Sequence, residues 1–560
     1  MLKLRLQKVM LLISFFTILF VLYQLSYSES THVNSKDSLL IKNNRKPVDN
    51  DYGEISPNEI IAELRKTSIN MPLPGQSVTS RSLPPLFGGQ KIVHLDLKGA
   101  PVKVAYYKEF FPLIRNLGAT GVLMEYEDMF PYSNSEISAA NAYSRTDIKS
   151  ILKMAKMNNL EVIPLVQTFG HLEFVLKLKE FENLREVPKY PQVICPSRNN
   201  TMPLLRSMID DIVAMHPASR YLHIGCDEVY NLGECNQCLD IILKKNWTKK
   251  QLFFNHITTI ASYIKEKHPN VKPLMWDDEF RRMSLQELIA SSVGSLVEPV
   301  VWKYTPTVDT YLPAEIWDKY ATVFGSVWIA SAFKGATGPD KFVTDISYHL
   351  ENHRAWMKLV ATYADRLTFK GIMITGWQRY DHFAVLCELL PVGLPSLAVS
   401  LAFMSQHDVE TQRVPSLATE KLKCGPGLLH PKMGAHCNFP GSGIYEKANQ
   451  LVSLLDQIDQ MMDMSEVKGW LTDYNIQTRF SNPAHVEGAT SDLDRYKMEL
   501  VYLEQDMRAA MGEVFGPDTI QEWVYTYITP VNKRLQTLWD AKERLLAQRV
   551  WPRRPVSLEL

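Results

Sequence analysis

Eight apolar, β-branched runs recur along the chain, at residues 91–99, 118–128, 160–170, 221–229, 271–280, 295–304, 323–333 and 371–380. Between them lie stretches such as 145–157 and 251–267, whose apolar positions recur three and four residues apart, the spacing of an amphipathic helix. Buried strands alternating with helices predict a parallel sheet, and eight such strands predict an α/β fold, a closed (β/α)8 TIM barrel over residues 88–404. Nearly every run passes from apolar to polar or aromatic residues at its C-terminal end. In a barrel those ends share one face, where catalytic groups gather while the strand bodies fill the core.

The flanks read differently. Lys3, Arg5 and Lys8 precede an apolar run over residues 9–25, after which the chain turns polar at Ser26, Ser28, Glu29 and Ser30. The run reaches the short limit of a membrane-spanning helix. Its bulky Phe, Leu and Tyr content favours an uncleaved signal anchor over a signal peptide cut at Ser26-Tyr27-Ser28. The basic flank then predicts a type II membrane protein with a lumenal barrel, in the Golgi or another secretory compartment; secretion after cleavage is the alternative. Residues 1–28 are thus expected to hold tail and anchor, and 29–87 a mostly unstructured, Pro/Ser-rich stem. Past Met404, helical periodicity at 443–464, 492–511 and 519–548 predicts a C-terminal helical region over 405–560. Its aromatic positions, including Trp523, Tyr525 and Trp539, are expected to pack against the barrel or to meet a second copy in a homodimer.

With 560 residues, 46% of them hydrophobic, the chain can bury a large core. Lys+Arg 61 balance Asp+Glu 61, so nothing in the charge favours a nucleic-acid partner, and no phosphate-loop or dinucleotide motif implies a cofactor. Of the cysteines, Cys424 and Cys437 bracket a Gly/Pro-containing loop and are the expected disulfide. Cys235-x-x-Cys238 is open to three readings: a local bridge, half of a zinc site, or neither. Without a second nearby Cys or His pair, no metal is expected. Asn199-Asn200-Thr201 and Asn246-Trp247-Thr248 are glycosylation acceptor sequences that fit a lumenal location.

The fourth run ends in His223-Ile224-Gly225-Cys226-Asp227-Glu228-Val229, two adjacent carboxylates at a strand end. Such a pair can divide an acid–base task, because burial and a like-charged neighbour raise a carboxylate's pKa. The segment resembles the His-x-Gly-Gly-Asp-Glu-Val signature of glycoside hydrolase family 20, the β-N-acetylhexosaminidases, with Cys226 in place of the second glycine. Further segments are HLDLKGAP at 94–101, EYEDMFPY at 125–132, VIPLVQTFGH at 162–171, SAFKGATGP at 331–339 and TGWQRYDH at 375–382. These are similar to the hexosaminidase D branch of that family, in which the cysteine belongs to the motif.

The resemblance implies exo-hydrolysis of terminal, non-reducing β-linked N-acetylhexosamines, galactosaminides ahead of glucosaminides, with retention and with the substrate's 2-acetamido oxygen as nucleophile. It implies that Glu228 protonates the leaving oxygen and later activates water, while Asp227 holds the acetamido N–H and offsets the developing positive charge. Other strand ends offer sugar ligands: Asp96 and Lys98 on the first, His171 after the third, and His223 within the signature. The fifth offers Trp276, Asp277 and Asp278, the sixth Trp302 and Tyr304, and the eighth Trp377, Arg379, Tyr380 and Asp381. The three tryptophans are expected to wall a pocket for the pyranose ring and the acetamido methyl. The expected partner is a glycan or glycoconjugate with a terminal N-acetylhexosamine, besides the membrane. A non-catalytic lumenal glycan-binding protein that keeps the fold is the alternative, against which the intact Asp227-Glu228 pair speaks.

Overall fold

Eight parallel strands form from the eight runs: β1 Gln90–Asp96, β2 Gly121–Glu125, β3 Glu161–Leu165, β4 Tyr221–His223, β5 Lys272–Trp276, β6 Glu298–Trp302, β7 Ser326–Lys334 and β8 Thr368–Gly376. The structure is a computed structural model that describes residues 87–405, 413–425, 428 and 436–558, so the expected anchor and stem lie outside the described residues. The strands pair in chain order, and β8 closes on β1 from Gln90↔Gly371 to Val93↔Ile374. Most strands end short of their runs, whose last polar residues leave the ladder and become the loops of the upper face, whereas β7 continues to Lys334.

The two-residue pleat sorts the apolar side chains. Ile92 of β1 joins an inner cluster with Leu123, Ile163, Leu165, Leu274, Val300, Trp328 and Met373, which fills the barrel. Val93 and Leu95 face the other way, into the layer of helices. Those helices are α1 Tyr107–Leu117, α2 Arg145–Met157, α3 Thr201–Met215, α4 Lys249–Lys267, α5 Leu285–Ser291, α6 Ala314–Val323, α7 Ile346–Tyr363 and α8 Leu390–Met404. Local chemistry sets several starts. Ser144 with Asp147, Thr248 with Gln251 and Ser284 with Glu287 form reciprocal capping boxes at α2, α4 and α5.

Helix α8 is buried almost all round, as its nearly continuous apolar sequence requires. One side meets the barrel and the other the C-terminal helix α9 Ser442–Asp463, on which α10 Leu493–Val514 packs, followed by α11 Pro517–Tyr527 and α12 Thr529–Leu546. The periodic stretch 519–548 is therefore two helices. The break falls at Ile528, and Pro530, which has no N–H to donate, sits in the first turn of α12. Trp523 is fully buried, whereas Tyr525 on the same helix is exposed. Cys424 and Cys437 are disulfide-bonded. No helix among the described residues is long and apolar enough to cross a membrane.

Candidate active site

The pleat that fills the barrel also builds its mouth. Every second residue up β1 reads Ile92, His94, Asp96, Lys98, and up β2 Leu123, Glu125, Glu127, so apolar side chains give way to charged ones at one height. Lys98 Nζ lies 3.1 Å from Asp96 Oδ2, 3.2 Å from Glu125 Oε1 and 3.8 Å from Glu127 Oε1. His94 Nε2 lies 2.9 Å from Glu125 Oε2. Burial opposes the charge on Lys98, but the three carboxylates outweigh it and hold its pKa well above the usual lysine value. Glu125 is likewise held low against burial by Lys98 and His94, whereas burial raises the more distant Glu127.

Strand β4 is only three residues long because the chain turns left-handed directly above it, with φ of 65° at Gly225, 68° at Cys226 and 49° at Glu228. Gly225 is required there twice over, since a Cβ would also stand 1.7 Å from Gln167 Oε1. That close approach lets Gln167 Nε2 donate to Asp227 Oδ1 at 3.3 Å. From the loop after β3, Gly170 comes so near that its Cβ would lie 2.1 Å from the Asp227 carbonyl oxygen. The two loops thus pack backbone to backbone. His171 lands between the carboxylates, its Nε2 3.1 Å from Glu228 Oε2 and 3.6 Å from Asp227 Oδ2.

This geometry sets the protonation. Burial raises the pKa of Asp227; His171 opposes that, and the charges of Asp278 and Glu228 add to it. Burial works against a proton on His171, yet Asp227, Glu228 and Glu173 raise its pKa well above 6.5. His171 is thus an imidazole flanked by two acids whose titrations are coupled to its own. Asp227 is buried, while the Glu228 side chain keeps 26% of its surface exposed. The group can keep one charge fixed and deliver one proton.

Aromatic rings continue the wall. Trp276 and Trp377 have centroids 6.0 Å apart, Trp302 stacks on Tyr304 at 5.3 Å, and Tyr304 meets Trp377 at 6.4 Å. Asp278 ties this wall to the carboxylates. Its Oδ1 accepts from Trp302 Nε1 at 3.2 Å and its Oδ2 from the Glu228 backbone N–H at 2.9 Å. Asp227, Glu228, His171, Trp276, Trp302, Tyr304 and Trp377 are thereby gathered at one mouth.

Other expected ligands stand differently. Asp96 accepts from the Lys98 N–H and Nζ and from the Gln378 N–H at 2.7 Å, so Asp96 and Lys98 are committed to each other below the surface. His223 is fully buried beneath the left-handed turn. Its Nδ1 accepts from the Gly225 N–H at 3.1 Å, and burial pushes its pKa down to about 3. Asp277 is also fully buried, accepting from Arg281, from Tyr320 Oη at 2.8 Å and from the Trp302 N–H at 3.3 Å. Arg379 points away from the mouth to Glu522 of α11 and to the carbonyls of Lys98 and Ala384. In this structure His223, Asp277 and Arg379 thus hold the loops above the strand ends, because a charged group near a strand end can serve the loop above it. Tyr380 sits at the rim, its Oη accepting from the Gly338 N–H, and Asp381 caps the turn at Phe383 and Ala384.

Several groups at the mouth escaped the sequence reading: Glu125, Glu127, Gln167, Glu173, Glu279 and His382. Burial raises Glu173 and Glu279 each to about 7. His382 Nδ1 lies 2.9 Å from Glu127 Oε2, and Lys177 Nζ lies 3.3 Å from Asp128 Oδ2. The two-residue alternation was the available signal, for it carries Leu123 up to Glu125 and Leu165 up to Gln167.

Comparison with known proteins finds that residues 108–303 match the catalytic-domain profile of glycosyl hydrolase family 20. Human hexosaminidase D is 40% identical over 477 residues, covering 83% of this chain and 96% of that protein. Bovine hexosaminidase D is 48% identical over 322 residues, covering 57% and 92%. Among solved structures, a β-N-acetylhexosaminidase from Bacteroides fragilis aligns with 59% of this chain and 70% of its own, at 16% identity and a TM-score of 0.46.

Proposed function

The chain belongs to the hexosaminidases of glycosyl hydrolase family 20, and we propose that Asp227, Glu228 and His171 carry out its reaction. It is an exo-β-N-acetylhexosaminidase that releases terminal β-linked N-acetylhexosamines with the substrate's own acetamido group as nucleophile. Glu228, the more open carboxylate, protonates the departing glycosidic oxygen and afterwards takes a proton from water. Asp227, buried and steadied by Gln167, accepts the acetamido N–H, aims the carbonyl oxygen at C1 and offsets the charge of the cyclised intermediate. His171 keeps a proton between them, and Trp276, Trp302, Tyr304 and Trp377 close around the sugar and the acetamido methyl. The observation that carries this assignment is the seat of His171 Nε2, 3.1 Å from one carboxylate and 3.6 Å from the other.

The assignment is tested with paired aryl β-glycosides that differ only at C2. Substrates bearing the acetamido group, in both the galacto and gluco series, should be hydrolysed, while those with a hydroxyl there should not. A thiazoline mimic of the cyclised intermediate should bind far more tightly than free N-acetylhexosamine, since the site is complementary to the charged, cyclised species. A covalent sugar trapped on Asp227 or Glu228 would contradict the scheme.

We also propose that the catalytic unit is lumenal and held by a signal anchor at residues 9–25, following Lys3, Arg5 and Lys8. Exposure of Asn199 and Asn246, the two acceptor asparagines, supports this reading.

A further inference from the structure

The loops after β3 and β4 meet a second time, away from the mouth. The hairpin of Arg185–Val187 and Tyr190–Ile194 carries Glu186 and leads into Cys195, and both face Cys235 and Cys238 at the start of the helix Asn236–Lys245. Cys195 Sγ lies 3.3 Å from Cys235 Sγ and 3.5 Å from Cys238 Sγ, and Cys238 Sγ lies 3.1 Å from Glu186 Oε2. All four ligand atoms fall within 4.8 Å of one another.

Three features of this cluster call for a cation. Glu186 is 1% exposed and has no Lys, Arg or His partner among the described residues. Its Oε1 accepts the N–H groups of Glu234 at 2.7 Å and Cys235 at 3.0 Å, while Oε2 turns into the sulfurs. A buried carboxylate without a counter-charge is costly, and a metal ion would remove that cost. Next, the Cys238 N–H points at Cys235 Sγ from 3.3 Å, a contact that favours the thiolate. The sulfur spacing is the third. Tetrahedral zinc with sulfurs at about 2.3 Å holds them about 3.8 Å apart, whereas a disulfide holds them at about 2.05 Å. The separations of 3.3 Å and 3.5 Å are within about half an ångström of the first value and more than an ångström from the second.

We propose that Glu186, Cys195, Cys235 and Cys238 bind one zinc ion. Three soft thiolates and one carboxylate complete a four-coordinate shell, so the site is structural, with no position open to substrate. It pins the loop that follows Glu228 to the hairpin that follows His171, holding the two halves of the catalytic group in register. The Cys235-x-x-Cys238 motif alone cannot reveal it, because Cys195 stands 40 residues away from Cys235.

The test uses the full chain, freed of any affinity tag and purified without chelator. Elemental analysis should find about one zinc per chain. Exchange for cobalt(II) should give thiolate-to-metal charge-transfer absorption and the red d–d bands of a tetrahedral site. Cys195→Ser and Cys238→Ser should each lower zinc content at least about tenfold. Should either variant fail to fold, the metal content and cobalt spectrum of the parent decide. Less than about a tenth of a zinc per chain after growth with added zinc, or a disulfide from Cys195 to Cys235 or Cys238 in peptide mass maps, overturns the proposal.

Discussion

A methyl group at residue 170 tests whether the packing of two loops, rather than the mere presence of the acids, makes the site. In Gly170→Ala the new Cβ would start 2.1 Å from the Asp227 carbonyl oxygen, and real Cβ contacts stay beyond 3.0 Å. The obstacle is backbone, so no rotamer relieves it, and the two loops must part by about 1 Å. A displacement of that size in a catalytic group costs about 10²-fold in rate, or roughly 2.7 kcal/mol of transition-state stabilisation. The overpacking itself should cost about 1–3 kcal/mol of stability. Turnover of an aryl β-N-acetylhexosaminide and thermal unfolding are to be measured side by side. Gly488→Ala serves as the control, since a Cβ there meets nothing within 4 Å, and it should leave turnover unchanged. A folded Gly170→Ala protein with kcat within about threefold of the parent would refute the argument.

Glu279, raised to about 7 chiefly by burial, favours folding as the neutral acid, a contribution complete below the ordinary carboxylate pKa and lost as pH rises through 7. Glu279→Gln should therefore raise the Tm relative to the parent at pH 8 and hardly change it at pH 4.5; a difference independent of pH would dismiss the shift. Glu522→Ala should strip the buried Arg379 of its bidentate partner and cost about 1–3 kcal/mol in chemical denaturation, discounted because Glu522 is partly exposed. Cleaner unfolding with no loss would show that the pair contributes nothing. In animal cells the full chain should stay with membranes after alkaline extraction and carry removable N-glycans, whereas an unglycosylated cytosolic product would end the lumenal proposal.

The barrel was legible because its strands are buried on both faces and so read as unbroken apolar runs, and because Asp227 and Glu228 are neighbours in the chain. What was not legible depends on atoms brought together from distant loops. Asp277 and Asp278 are adjacent and chemically identical, yet one locks Arg281 and Tyr320 while the other links Trp302 to Glu228. Arg379 follows Trp377 by two positions, but the Glu522 that captures it lies 143 residues on. Gly170 and Gly225 fall within motif segments of the sequence, but only the approach of Asp227 and Gln167 shows what they permit. The split of residues 519–548 was the exception that local sequence could have announced, through Pro530.

Whether Glu228 is the acid that releases the aglycon is decided by Glu228→Gln on two substrates of opposite leaving-group quality. A dinitrophenyl β-N-acetylhexosaminide departs without help, whereas an alkyl or glycosyl aglycon needs a proton, and general acid catalysis is worth about 10²–10⁴-fold. The account predicts that the variant loses about that factor on the poor leaving group and much less of its glycone-release rate on the activated one. Equal losses on both substrates would take the acid role away from Glu228.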